Sequence, residues 1–141
     1  MCLLVEAAFR NYIFGILRDD AFMVKQIKQL SKGETAMKSF LVIGMGRFGT
    51  AVAQELTELG QEVLAIDENA ESVQRIAEDV TQVMQGDAQD EAVLRAVGVR
   101  NFDCCVVAVG TDMEASILIT VMLKELGAKY IVAKARSAVH A

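Results

Sequence analysis

Three glycines in the run Gly44-Met45-Gly46-Arg47-Phe48-Gly49 are the residues of this chain best placed to do chemistry. A Gly-x-Gly-x-x-Gly match alone is weak. Here it follows the apolar run Phe40-Leu41-Val42-Ile43 and opens a segment with helical periodicity. In that setting Gly44 permits a tight turn, Gly46 lets backbone approach a pyrophosphate, and Gly49 lets the helix lie close to the strand. The helix start then offers free N–H groups and the positive end of its dipole to phosphate. Asp67 follows Gly49 by eighteen residues and ends the next apolar run. A carboxylate there accepts hydrogen bonds from adenosine ribose hydroxyls and repels a 2′-phosphate, so NAD is expected over NADP. Asn69 reads as a helix cap, with a second ribose contact as the alternative. Arg47 is less usual. Its guanidinium could reach a terminal phosphate of ADP or ATP or the second phosphate of NAD, unless it is simply a solvated arginine.

Other reactive residues point away from catalysis. Cys104 and Cys105 are adjacent, and neighbours on a strand face opposite ways, so a disulfide or a shared metal does not fit. They read as small core hydrophobes in a reducing compartment. The single histidine, His140, is next to the last residue, and there is neither a Cys-x-x-Cys nor a His-Glu-x-x-His, so no metal site is expected. Tyr130-x-x-x-Lys134 mimics the catalytic pair of short-chain dehydrogenases. That motif works on a helix, where i and i+4 share a face, whereas Tyr130-Ile-Val-Ala-Lys134 reads as a strand. A dehydrogenase needs a proton donor or acceptor beside the nicotinamide. None is assigned, so no catalytic residue and no enzyme activity are expected. The alternative is the cofactor-binding domain of an NAD-dependent dehydrogenase without its catalytic half.

Positioning these residues requires alternating strands and helices. Strands are expected at Phe40–Ile43, Glu62–Ile66, Val80–Gln85, Cys104–Val109 and Tyr130–Ala133. Helices are expected at Phe48–Leu59, Ala70–Asp79, Asp90–Val97 and Asp112–Leu126, three of them stopped by Gly60, Gly98 and Gly127. Short glycine-marked connections imply an α/β fold: a doubly wound parallel sheet of Rossmann type, strand order 3-2-1-4-5, last unit truncated, ligand at the carboxyl ends. Of 141 residues, 53% are hydrophobic and 23% charged, with net charge −5. That is one ordinary globular domain with no nucleic-acid surface and no bilayer span.

Residues 1–36 do not fit this plan and read as an N-terminal extension to a domain over 37–141. Either they form an amphipathic helix that packs on a partner or a membrane surface, or translation starts at Met37. The second is preferred, because Lys32-Gly33-Glu34 can be encoded AAA-GGA-GAA, a purine-rich bacterial ribosome-binding sequence. The end at Ala141, soon after the fifth strand, reads as that of a fragment.

Lys38 to Gly49 resembles the start of the bacterial KTN or RCK (TrkA-N) nucleotide-binding domain of Trk and Ktr potassium-uptake regulators. The likeness continues through Val63-Leu64-Ala65-Ile66-Asp67, Gly86-Asp87-Ala88, Val106-Val107-Ala108-Val109-Gly110, Leu123-Lys124-Glu125-Leu126-Gly127 and Val132-Ala133-Lys134-Ala135. The resemblance covers Met37 to the end. It implies a cytoplasmic regulatory subunit that binds NAD(H) or ATP/ADP and gates a membrane potassium transporter, held at the inner face of the membrane through that transporter without inserting. It also implies a homo-oligomer, a dimer or an octameric ring. The truncated last unit adds to that expectation, since it would leave sheet edge and apolar helix surface uncovered. By residue match, Gly44, Met45, Gly46, Arg47, Phe48 and Gly49 would hold phosphates, and Asp67 the ribose, with Glu68 beside it as a further cofactor-binding residue. Asp87 and Ala88 would flank the adenine, Val109 and Gly110 would close the pocket, and Lys134 would approach from the fifth strand. The second regulatory lobe of many family members has no counterpart in this sequence.

Overall fold

Phe40-Leu41-Val42-Ile43 can be apolar at every position because it becomes the central strand of a parallel sheet covered on both faces. The computed structural model describes residues 3–6, 12–16, 20–32, 37–109 and 113–135. In chain order its elements are β1 (Leu3–Glu6), β2 (Tyr12–Ile16), α1 (Asp20–Leu30), β3 (Ser39–Ile43), α2 (Arg47–Glu58), β4 (Glu62–Asp67), α3 (Ala70–Ile76), β5 (Gln82–Gln85), α4 (Glu91–Val97), a 3-10 turn at Val99–Asn101, β6 (Cys104–Val107), α5 (Met113–Glu125) and β7 (Ile131–Ala135).

The strands lie in the order β1-β2-β7-β6-β3-β4-β5. Counted from β3, the five parallel strands follow the expected order 3-2-1-4-5. The sheet then continues past β7: β2 pairs with β7 in parallel and β1 with β2 antiparallel. The outer edge of β7, expected to be bare, is therefore paired, and that argument for self-association falls away.

Alternation along β3 divides the core. Phe40 and Val42 join one apolar cluster with α1, α2 and Ile76 of α3, while Leu41 and Ile43 join the other with Leu94 of α4 and Ile119 and Leu123 of α5. Cys104 and Cys105 fall on opposite faces and are fully buried. Burial pushes the Cys105 thiol up to about 12. The Cys104 thiol is raised as well, by burial first and then by Cys105 and Asp103. Within residues 1–36, Met23 and Ile27 of α1 are fully buried, and the helix packs on α2 with a Lys28–Glu55 ion pair of 2.7 Å.

Boundaries move by a few residues. The helix expected over Ala70–Asp79 ends at Ile76 because Ala77 N and Asp79 N turn to acceptors three residues back, Gln74 O and Ile76 O. The strand expected from Val80 starts at Gln82, the strand expected to Val109 ends at Val107, and the strand expected over Tyr130–Ala133 runs Ile131–Ala135. Asp112, Gly110, His140 and the Gly33–Ala36 stretch lie outside the described residues.

Candidate functional site

The chain leaves β3 through Gly44, whose φ of +97° is a conformation that side chains rarely adopt. Its N–H donates to Ile66 O at 2.8 Å, tying the loop to β4. The next residue is held on both sides: Met45 N donates to Asp67 Oδ2 at 2.7 Å, and Met45 O accepts from Thr50 Oγ1 at 3.0 Å. The Met45 side chain is buried in the core.

The three loop glycines then differ in what requires them. A Cβ on Gly44 would lie 2.8 Å from Ala108 O, and one on Gly49 would overlap the Gly44 carbonyl oxygen. A Cβ on Gly46 would meet no protein atom within 4 Å, at an ordinary φ of −75°. Packing explains two of the glycines, and the third faces open space.

That space is a cleft of about 370 Å³ at the carboxyl ends of the strands. Gly44, Met45, Gly46, Arg47, Phe48, Asp67, Glu68, Asp87, Ala88, Val109 and Lys134 all line it. Gly49 does not: it stands behind the loop against Gly44 and Ala108. Gly110 lies outside the described residues. Seven further lining groups were not expected from the residues: Ile43, Ile66, Gly86, Gln89, Ala108, Ala115 and Ile119. Ala108 directly follows the apolar run of β6, a usable signal. Ala115 and Ile119 come from α5, and no local pattern tells which face of that helix overlooks the cleft.

The start of α2 is electrostatically unusual for this chain. Its N-cap is Gly46, with no side-chain acceptor and no acidic residue in the first turn. Asn69 caps α3 by accepting from Glu71 N and Ser72 N, and Asp90 caps α4 by accepting from Ala92 N, each with an acidic residue in the first turn. Among the described residues no side chain accepts from the first N–H groups of α2, and Arg47 and Phe48, which carry two of them, line the cleft.

Charged groups of both signs line the cleft. Arg47, at the start of α2, is exposed. Lys134 of β7 is only 4% exposed, with Nζ 4.8 Å from the Phe48 ring centroid, within cation–π range. The carboxylates come from the ends of two strands, Asp67 as the last residue of β4, Glu68 directly after it and Asp87 after β5. Asp67 Oδ1 accepts from Asn69 N at 2.8 Å, and Asp87 Oδ1 from Gln89 N at 2.9 Å. The cations and uncapped amides suit phosphate, and the carboxylates suit hydroxyl donors. Tyr130 and Lys134 are four residues apart on extended chain, about 13 Å, which is too far to act on one atom. Among the described residues no group of three His, Cys, Asp or Glu could hold a metal, and no helix is long and apolar enough to cross a membrane.

Residues 40–141 match the TrkA-N domain. The chain belongs to that family. It is 45% identical over 103 residues to Ktr system potassium uptake protein C of Bacillus subtilis, covering 73% of this chain and 47% of that protein. It is 42% identical over 108 residues to Ktr system potassium uptake protein A of the same organism, covering 77% of this chain and 49% of that protein. The chain spans about half the length of these curated relatives. Its fold is that of the NAD(P)-binding domain of an exopolyphosphatase-related protein from Archaeoglobus fulgidus, with a TM-score of 0.64 at 24% identity, over 72% of this chain and 75% of that one. The TrkA-N match begins at the central strand, so it takes in the glycine loop and both walls of the cleft.

Proposed function

We propose that this TrkA-N domain binds an adenine nucleotide, NAD(H) or ATP/ADP, and serves as the sensing part of a regulatory subunit that gates a membrane potassium transporter of the Trk or Ktr type. The observation that carries the nucleotide reading is Gly46. Gly44 and Gly49 are glycine because protein atoms crowd them, but among the described residues nothing beyond the adjoining chain would crowd a Cβ on Gly46. A guest whose phosphate lies against the backbone supplies the missing reason, and the uncapped start of α2 supplies its hydrogen bonds. Arg47 and Lys134 add charge for phosphates, while Asp67 and Glu68 face the ribose and Asp87 and Ala88 the adenine. The transporter partner is drawn from the two Bacillus subtilis uptake proteins named above. The same likeness favours a regulator over a dehydrogenase cofactor domain, and a cytoplasmic place at the inner face of the membrane. Self-association, as a dimer or larger ring, is supported by the apolar surface of α5, where Ile117, Leu118 and Val121 are 49%, 44% and 46% exposed.

Calorimetric titration of NAD, NADH, ADP and ATP tests this. The unaltered protein is expected to bind at least one of them, and Gly46→Val to lose roughly a hundredfold in affinity, about two charge-assisted hydrogen bonds, while melting as before. Unchanged affinity in that variant would remove the assignment. Nucleotides that share adenosine are told apart beyond the first phosphates, so Arg47→Ala is expected to weaken ATP by about 1.5–3 kcal/mol and NADH by less. Equal losses would make Arg47 a general phosphate contact and put the discrimination elsewhere.

A further inference from the structure

The carboxylate expected to receive ribose hydroxyls is already at work without them. Asp67 Oδ2 accepts from Met45 N at 2.7 Å and Oδ1 from Asn69 N at 2.8 Å. The first bond reaches into the glycine loop across 22 residues of sequence. On the other side of Met45 the Thr50 hydroxyl lies 3.0 Å from Met45 O, and Met45 itself is only 2% exposed. Thr50 also donates its own N–H to Gly46 O at 3.0 Å. The two peptides that flank Met45 are thus each held, the Gly44–Met45 peptide by a carboxylate at its N–H and the Met45–Gly46 peptide by a hydroxyl at its carbonyl, with a buried side chain between them. The following residue, Gly46, is the N-cap from which the uncapped amides of α2 face the cleft.

We propose that Asp67 is a positioning residue for the phosphate loop in addition to being a ribose acceptor, and that Thr50 is its counterpart on the other side of Met45. Asp67 holds the Gly44–Met45 peptide and Thr50 the Met45–Gly46 peptide, and a peptide that loses its bond can rotate and re-aim the Gly46 backbone on which phosphate is to rest. Each carboxylate oxygen has two lone pairs, so Asp67 can keep both amide bonds and still accept from a ribose hydroxyl. A single side chain then serves both ends of a nucleotide: it touches the sugar directly and the phosphate through the loop. This inference rests on the nucleotide-binding reading, yet the loop contact it describes exists in the protein without any guest.

The consequence is an effect of Asp67 on ligands that have no ribose hydroxyls. Titrating 2′,3′-dideoxy-ATP alongside ATP separates the two roles. Asp67→Ala is expected to weaken the dideoxy nucleotide about tenfold, near the lower end of what a hydrogen bond to a charged group contributes, and ATP by more. Thr50→Val, which keeps shape and removes the hydroxyl, is expected to weaken both nucleotides by a similar smaller factor, roughly threefold. Asp67→Asn keeps one oxygen acceptor for the loop and is expected to restore most of the dideoxy affinity. It also carries the comparison if the alanine variant does not fold. Hydrogen exchange in the nucleotide-free protein gives a second readout: the Met45 amide is expected to exchange at least about tenfold faster in Asp67→Ala and measurably faster in Thr50→Val. Unchanged dideoxy affinity or an unchanged Met45 exchange rate in Asp67→Ala overturns the positioning role and leaves Asp67 as a ribose contact alone. If no nucleotide binds the unaltered protein, the functional reading fails, while the exchange measurement still decides whether Asp67 holds the loop.

Discussion

At the amino end of β3 the Asp103 carboxylate accepts from Lys38 N at 2.8 Å and from Ser39 N at 3.3 Å, and Asp103 N donates back to Ser39 O and Oγ. Glu62 N closes on Lys38 O, so β4 is tied in as well. At the carboxyl end of the same strand the chain also meets a carboxylate, Asp67, but there the ties stop at Met45. Beyond it come a glycine with empty space in front of it and a helix start with no side-chain cap. Both ends have the same materials, a strand terminus and an aspartate from a neighbouring strand or its flank. One is completed by protein groups. The other is completed only up to the point where a guest would take over. A binding site here is the place where the protein stops satisfying its own backbone, not a place with an unusual residue type.

The contrast is broken most severely inside the loop itself. Gly49→Ala forces a Cβ onto the Gly44 carbonyl, which neither backbone segment can yield without moving α2 off the sheet. A loss on the order of 3 kcal/mol or more is expected, read as a melting temperature lower by about 10 °C. Gly46→Ala should melt like the unaltered protein. If the two variants melt alike, Gly46 is as structural as Gly49, and the distinction on which the site rests disappears.

The closed end gives the middle-sized effect. Asp103→Ala leaves Lys38 N and Ser39 N without their acceptor. The expected cost is about 1–2 kcal/mol in chemical denaturation, since the Lys38 site is exposed and water replaces part of the bond. Nucleotide affinity should stay within about twofold, because the clamp is at the far end of the sheet from the cleft. A large drop in affinity at modest loss of stability would show that the two ends of β3 are coupled, and the comparison would have to be redrawn.

Sequence carried much of this because the decisive signals are local. The unbroken apolar run at Phe40–Ile43, the glycine spacing and the aspartate ending Val63–Asp67 each lie within a few residues, and each is found where its pattern put it. What was not legible depends on distant partners. Tyr12–Ile16 carries the aromatic and β-branched residues of a strand, but nothing near it in sequence supplies the partner it pairs with, the edge of β7, more than a hundred residues away. The Asp67–Met45 bond was not legible either: both residues had other roles to explain them, and only the folded chain shows the carboxylate turned toward the loop. Cys104 and Cys105 were legible as a pair on opposite faces, since alternation along a strand is fixed by its geometry.

The smallest expected effect concerns a group that neither end uses. Ser116, in the first turns of α5, is fully buried, and among the described residues its Oγ has no hydrogen-bond partner. It follows Ala115, which lines the cleft, and its own carbonyl accepts from Thr120 Oγ1 at 2.7 Å. A buried hydroxyl without a partner costs about 1–3 kcal/mol of desolvation, and alanine removes that cost while filling nearly the same volume and favouring the helix. Ser116→Ala is therefore expected to stabilise the protein by about 0.5–1 kcal/mol, a rise of roughly 2–4 °C in melting temperature. The shortfall from the full penalty allows for relaxation around the hydroxyl. Destabilisation instead would mean that the hydroxyl finds an acceptor in solution. If nucleotide affinity fell with it, that acceptor would be tied to the occupied cleft, and the open end of the sheet would extend one residue further along α5 than the lining groups indicate.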